Sequence, residues 1–265
     1  MVSSDQRKRL CFVATSPLTV QVFLHPHLAA LSANYDVTVM TNLDGYSVAR
    51  FGLSAVDFGH IGFVRTLSPL SDILVIARLY RIFYRGSFDA VVTVTPKAGL
   101  TATLASFLAR VPTRIHWFTG QVWATQKFPM RTLLKLADRV IARATTAGLV
   151  DGLSQLNFLI DQGVGDKEKL GVLLNGSICG VDGQRFRPDE KKRAQVRAQL
   201  GIPEKSPVFL FLGRLTRDKG VLDLAASFAS MESASRPQII FVGPDEGRLA
   251  LTHKKPPRSP IRCLR

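Results

Sequence analysis

Cysteine is scarce in this chain: Cys11, Cys179 and Cys263 are the only three in 265 residues. They are too few and too scattered for a disulfide framework or a zinc site, and they fit a reducing cytosol. Long apolar runs are missing as well. The best, Ile73 to Ala77, stops at Arg78, far short of the ~20 residues a membrane-spanning helix needs. Arg7-Lys8-Arg9 opens the chain, but Leu10 to Ala14 is too short for a signal-peptide core and runs straight into a strand pattern. Acid is in deficit, with 20 Asp and Glu against 35 Lys and Arg, a formal charge of +15. The last fourteen residues hold five basic groups and no acid, so the folded body is only mildly basic. Three site templates are also absent: Gly-x-Gly-x-x-Gly after the first strand, Gly-x4-Gly-Lys-Ser/Thr, and Gly-x-Ser-x-Gly. Dinucleotide dehydrogenase, P-loop NTPase and α/β-hydrolase readings lose their support. These absences predict a cytoplasmic protein, with peripheral contact to the inner face of the plasma membrane left open.

What is present is a core. Apolar residues make up 46% of the chain, and a chain of this size buries roughly 70–75% of its unfolded surface. Leu10–Ala14, Val37–Met40, Ala90–Val94 and Ile115–Phe118 are short, near-continuously apolar and rich in β-branched or aromatic residues, as buried parallel strands are. Between them lie helical patterns over His25–Ser32, Leu70–Arg85, Ala98–Ala109 and Arg131–Ala144. Leu149-Val150 and Val172–Leu174 are weaker strand candidates around a helix from Ser154 to Gln162. Alternating strand and helix predicts an α/β fold with a parallel sheet covered on both faces.

A seam follows. Asn175 to Gly183 carries three glycines in nine residues, which is loop chemistry. A charged helix over Asp189–Leu200 comes next, then a restart: strand Val208–Leu212, a polar loop to Gly220, helix Val221–Ala229 and strand Gln238–Val242. This organises the chain as a Rossmann-like domain over residues 8–178 and a partial second one over residues 183–251. Residues 252–265, with three prolines and neither helical period nor strand pattern, read as a basic disordered tail or as the product of a shifted reading frame near Leu251.

The chemistry concentrates in Phe211-Leu-Gly-Arg-Leu-Thr-Arg-Asp-Lys-Gly220. A strand ends at Gly213, a loop carries Arg214 and Lys219, and Gly220 opens a helix. Ligands of open α/β sheets bind at the carboxyl ends of strands. Glycines let a backbone approach closely, and a helix N-terminus favours an anion. Arg214 can grip phosphate oxygens bidentately while Lys219 adds a point charge. Together they suit a diphosphate.

With these residues the sequence resembles glycosyltransferase family 4, retaining enzymes of the GT-B fold with two facing Rossmann-like domains. The hallmark Gly-Arg-Leu-x-x-x-Lys-Gly loop matches at Gly213, Arg214, Lys219 and Gly220. Asn175-Gly176 through Asp182 with Phe186-Arg-Pro188 is similar to the family's interdomain segment, Ser154 with Leu159-Ile160 and Gly163 to its Ser…Leu…Gly-Val helix, and Val242–Asp245 to its next glycine turn. The likeness covers about residues 8–250 and looks most like enzymes of bacterial surface-polysaccharide assembly. It implies transfer of a sugar from a nucleotide diphosphate sugar to a saccharide or polyprenyl-linked acceptor. Arg214 and Lys219 would stabilise the leaving diphosphate without a metal or other cofactor. Ser16, Thr19, Thr119 and Gly120 would line the acceptor side. Three departures stand out. Thr15–Thr19 lacks the usual glycine pair, Thr119-Gly120 stands where many members have His-Gly, and the Glu-x7-Glu motif would lie beyond residue 265. The last departure implies a second domain cut short and an impaired donor pocket.

Arg131, Lys135, Arg139 and Arg143 recur every four residues on one predicted helix, and Arg78, Arg81 and Arg85 on another. Each is either a solvated face or a stripe for anionic headgroups. His25, His27 and His60 lack metal-ligand spacing, and His116 sits within a strand. The rival class is a basic binding protein for anionic membrane or nucleic acid without catalysis. Nucleic acid is disfavoured because no recognised binding motif accompanies the charge.

Overall fold

The computed structural model describes residues 7–64, 68–231, 237–247 and 261–264. The chain divides into two compact units, Met1–Val181 and Asp182–Arg265.

In the first unit, β1 (Arg9–Ala14) leads through α1 (Pro17–Thr19), a π-helical turn and α2 (His25–Leu31) to β2 (Asp36–Thr41) and β3 (Val56–His60). Next come α3 (Pro69–Gly86), β4 (Ala90–Val94), α4 (Pro96–Leu108), β5 (Thr113–Phe118), α5 (Met130–Ala144), β6 (Ala147–Val150), α6 (Leu153–Asp161) and β7 (Leu170–Val172). The seven strands lie in the order β3-β2-β1-β4-β5-β6-β7, every neighbour parallel. Chain direction across the sheet reverses between β1 and β4, the switch point beside which open α/β sheets bind ligands.

The period of two along β1 sorts its side chains into two cores. Cys11 and Val13 pack with Leu79 and Phe83 of α3 and with Ala98, Ala102 and Ala105 of α4. Phe12 and Ala14 join Val20, Leu24, Leu28 and Phe51 on the opposite face. Each fully buried Leu or Phe contributes roughly 1.5–3 kcal/mol. The row of small residues on α4 brings that helix close to β5, where a Cβ on Gly99 would collide with the His116 imidazole. His116 is buried, its Nδ1 lies 2.8 Å from Thr93 Oγ1, and burial pushes its pKa down to about 3. It is a neutral packing group. Cys11 is likewise sealed, and burial pushes its thiol up, leaving it inert.

The second unit holds α7 (Glu190–Gln199), β8 (Val208–Leu212), α8 (Val221–Ala229), β9 (Gln238–Val242) and β10 (Ile261–Leu264). Its parallel sheet runs β10-β9-β8. Leu215, Val221, Phe228, Ile239 and Phe241 form its core. Leu210 and Leu212 on the other sheet face remain exposed.

Three elements differ from the sequence reading. The strand expected at Val172–Leu174 lies at Leu170–Val172, with Leu173 and Leu174 exposed beyond its end. β3 goes unpredicted because Val56-Asp-Phe-Gly-His60 carries an Asp and a Gly and buries only Val56 fully. Ile261–Leu264, read as part of a disordered tail or of a shifted reading frame, pairs with β9, and the three prolines ahead of it hid the strand. Residues 252–260 of that proposed tail lie outside the described residues.

Candidate functional site

In the second unit the Arg214 loop is built by two strand ends laid side by side. Gly213 N donates to Val242 O at 3.0 Å, Leu215 N to Pro244 O at 2.9 Å, and Gly247 N to Leu215 O at 3.0 Å. Gly243 (φ +144°) crosses directly over Gly213, where a Cβ would run into the Gly213 carbonyl oxygen. Buried Leu215 anchors the loop and leaves Arg214 and Lys219 exposed on either side. Arg214 Nη1 sits 3.1 Å from Glu246 Oε2, a partner the sequence did not announce. A short 3₁₀ turn over Arg217–Lys219 delivers the chain to Gly220 at φ +71°, a left-handed conformation that suits glycine. α8 starts there without a side-chain cap, so its first amides keep their donors. Asp218 stands among these cations, and its carboxyl is held below the usual range, chiefly by the Thr216 hydroxyl, then by its own backbone amide and the Arg214 and Lys219 charges.

In the first unit the parallel strands deliver Thr15, Asn42, Thr95, Thr119 and Asp151 to one rim. Thr15 and Thr95 meet across the switch point, their hydroxyl oxygens 3.2 Å apart. Beside them a cavity of about 280 Å³ is lined by Thr15, Ser16, Asn42, Asp44, Phe63 and Lys97, among others. Ser16 caps α1, its Oγ accepting from Leu18 N at 3.3 Å. Thr19 lies a turn further on, half-buried and outside that lining. Thr119 is exposed at the end of β5. Gly120 (φ +129°) belongs to a second cavity, of about 270 Å³, with Leu100, Trp123, Leu133 and Asp138. The four acceptor-side candidates therefore occupy one rim without converging on one pocket.

Sequence reasoning missed three residues here. Lys97, ion-paired with Asp72 at 2.8 Å, lines both cavities. Its signal was a strand end followed by Thr95-Pro-Lys, a Pro-started helix on the ligand-binding edge. Asn42 accepts from Asp44 N at 2.9 Å and donates to Phe63 O at 3.4 Å, tying together two loops of the polar cavity. Asp138 is buried, accepts from Trp123 Nε1 at 2.7 Å, and is pushed up to about 6 by burial, partly offset by that bond. An acid inside an otherwise basic helical stripe was the available sign. The stripe itself is partly structural: Lys135 donates to Gln162 and lies over the Trp123 ring, and Arg139 donates to the Gln162 and Gly163 carbonyls. Among the described residues no three His, Cys, Asp or Glu gather as a metal site, and no helix is long and apolar enough to cross a membrane.

A doubly wound parallel sheet followed by a second, partial α/β unit defines a fold class, GT-B. The chain belongs to the glycosyl transferase 4-like domain family, whose model matches residues 19–176, more than half its length. It is 26% identical over 195 residues to the Staphylococcus aureus capsular polysaccharide biosynthesis glycosyltransferase CapM, covering 74% of this chain and 50% of that one. It is 27% identical over 187 residues to the Escherichia coli UDP-Gal:alpha-D-GlcNAc-diphosphoundecaprenol alpha-1,3-galactosyltransferase, covering 70% and 47%. The chain thus spans about half the length of these curated relatives. In fold it is similar to Anabaena Alr3699/HepE, crystallised with UDP and glucose, at a TM-score of 0.68 and 18% identity, covering 90% of this chain and 61% of that one.

Proposed function

We propose that the chain serves transfer of a sugar, with retention, from a nucleotide diphosphate sugar to a saccharide or lipid-linked acceptor in bacterial polysaccharide assembly. The observation that carries the reading is the strand–Gly213–Arg214…Lys219–Gly220–helix unit. Its backbone is pinned by Gly243, and its two cations stand beside an uncapped helix start. As the glycosidic bond breaks, negative charge develops on the leaving diphosphate. Arg214 and Lys219 stabilise that charge, a contribution of ~2–4 kcal/mol for each well-placed donor, and no metal is needed. The first unit supplies the acceptor side, with hydroxyls of Thr15 and Ser16 and the Thr119-Gly120 turn on its rim.

The UDP in the Anabaena structure and the lipid-linked acceptor in the name of the E. coli relative support both halves of this reading. Family membership favours an enzyme over a basic binding module. The reaction is assigned to the cytoplasm. Exposed Arg78, Arg81 and Arg85 beside Leu70, Ile73 and Leu74 on α3 suit peripheral contact with an anionic membrane surface. The test is calorimetric titration of the whole chain with UDP, alone and with Arg214→Ala. Binding that Arg214→Ala removes supports the assignment. Binding that Arg214→Ala leaves unchanged sinks it.

A further inference from the structure

We propose that a cavity between the carboxyl ends of α5 and α6 and the turn before β7 binds a sugar phosphate. It lies on the edge of the first sheet where strands enter, opposite the rim that carries Thr15, Asn42 and Thr95. The transfer assigned above has no use for a ligand there. The cavity holds about 500 Å³, within the ~300–1,000 Å³ of small-molecule sites. Buried Ala142 and Val164 and half-buried Ile160 give it an apolar floor. Its lip is fixed, because Lys169 N and Leu170 N both donate to Asp166 O, at 3.1 and 2.9 Å.

The charged lining sets the ligand's chemistry. Arg139, Arg143, Lys167 and Lys169 stand against Asp166 and Glu168, a surplus of two positive charges. Arg139 is held by the Gln162 and Gly163 carbonyls at 3.1 and 2.9 Å. Among the described residues the other five form no ion pair. The surplus matches a phosphate monoester, which carries about −1.5 to −2 at pH 7. Arg143 can take two phosphate oxygens at once, and Lys167 and Lys169 add point charges. The two carboxylates discriminate further. They repel a bare polyanion, yet each accepts hydrogen bonds from hydroxyl groups. The apolar floor suits the C–H face of a sugar ring. A hydroxylated ring joined to one phosphate engages all three surfaces together.

The experiment is calorimetric titration of the whole chain with glucose 6-phosphate, glucuronate, glucose and inorganic phosphate, with UDP in parallel. Glucose 6-phosphate should bind about tenfold more tightly than each of the other three. Arg143→Ala should weaken it about tenfold or more, and Lys167→Ala combined with Lys169→Ala by a similar factor. Asp166→Ala combined with Glu168→Ala should close the gap between glucose 6-phosphate and inorganic phosphate. All five positions are exposed, so folding is not at stake. Arg214→Ala should leave this binding intact, and Arg143→Ala should leave UDP binding intact. Equal affinity for glucose 6-phosphate and inorganic phosphate would reveal an ion patch without a sugar site. Glucuronate binding as tightly would reveal a carboxylate site, and either result overturns the proposal. So do the absence of binding, binding that Arg143→Ala leaves unchanged, and binding that Arg214→Ala removes. If glucose 6-phosphate fails while UDP binds through Arg214, only this site falls, and the glycosyltransferase reading stands.

Discussion

Arg214 and Glu246 form an ion pair between two strand-end loops, Nη1 to Oε2 3.1 Å, with both side chains about half exposed. The cation assigned to the donor diphosphate is thus already shared with a carboxylate. Exposed pairs contribute only ~0.2–1 kcal/mol, and a phosphate with several oxygens competes well for the same guanidinium. Glu246→Gln is expected to tighten UDP binding by about twofold to fivefold. Arg214→Ala should weaken it about tenfold or more, the loss of a charged hydrogen bond. Calorimetry on the two variants checks both signs, and a weaker Glu246→Gln complex would show that the carboxylate orients Arg214 instead of competing for it.

Gly243→Ala should displace the Arg214 loop. The residue needs φ +144° and has the Gly213 carbonyl where a Cβ would go. Strain of this kind costs about 1–3 kcal/mol. Limited proteolysis should find the second unit more readily cut in the variant, and an unchanged digestion pattern would count against the loop crossing.

Gly99→Ala should destabilise the first unit by about 1–3 kcal/mol, because the added methyl meets the buried His116 ring in a packed core. Gly171→Ala, which meets nothing within 4 Å, is the control and should be close to neutral. Urea midpoints of the two variants give the comparison directly.

Two buried groups pull stability in opposite directions with pH. Burial raises Asp138 from 3.8 to about 6, so the folded state binds the proton more tightly, and stability falls as pH rises from about 4 to 6. Burial lowers His116 from 6.5 to about 3, so stability falls as pH drops through that window. Between pH 4 and 6 the two oppose each other. Asp138→Asn keeps an acceptor for Trp123 and removes one arm. It should add about 1–3 kcal/mol at pH 7 and make acid destabilisation steeper. Unfolding curves across that range would show both effects, and a variant with the parent's pH profile would rule out a buried, titrating Asp138.

The strand–helix alternation was legible because buried parallel strands are short, apolar and separated by longer periodic segments. β4, β8, β9 and α8 fall on their predicted bounds. β3 was hidden by its half-buried composition, and β10 by the prolines ahead of it. Of the site, the residue types and their strand–loop–helix context could be read for Arg214 and Lys219. Their surroundings could not, because Glu246 and Gly243 come from a different strand end and only three-dimensional proximity joins them. Lys97 and Asp138 escaped for a related reason. Each carries an ordinary charge on a helix, and only the neighbouring strand ends reveal what it faces. The basic stripe on α5 shows the converse, since Lys135 and Arg139 read as part of a solvated face or a headgroup stripe and are spent on the α6 end.

Because all seven strands of the first sheet point the same way, the turns that enter them gather at the far edge. Asn34-Tyr35, Val111-Pro112 and Asp166–Lys169 are such turns. A reporter dye, affinity tag or surface tether attached there would stand a full strand length from the rim that carries Thr15, Asn42 and Thr95. The first unit can be immobilised or labelled from behind without touching that rim.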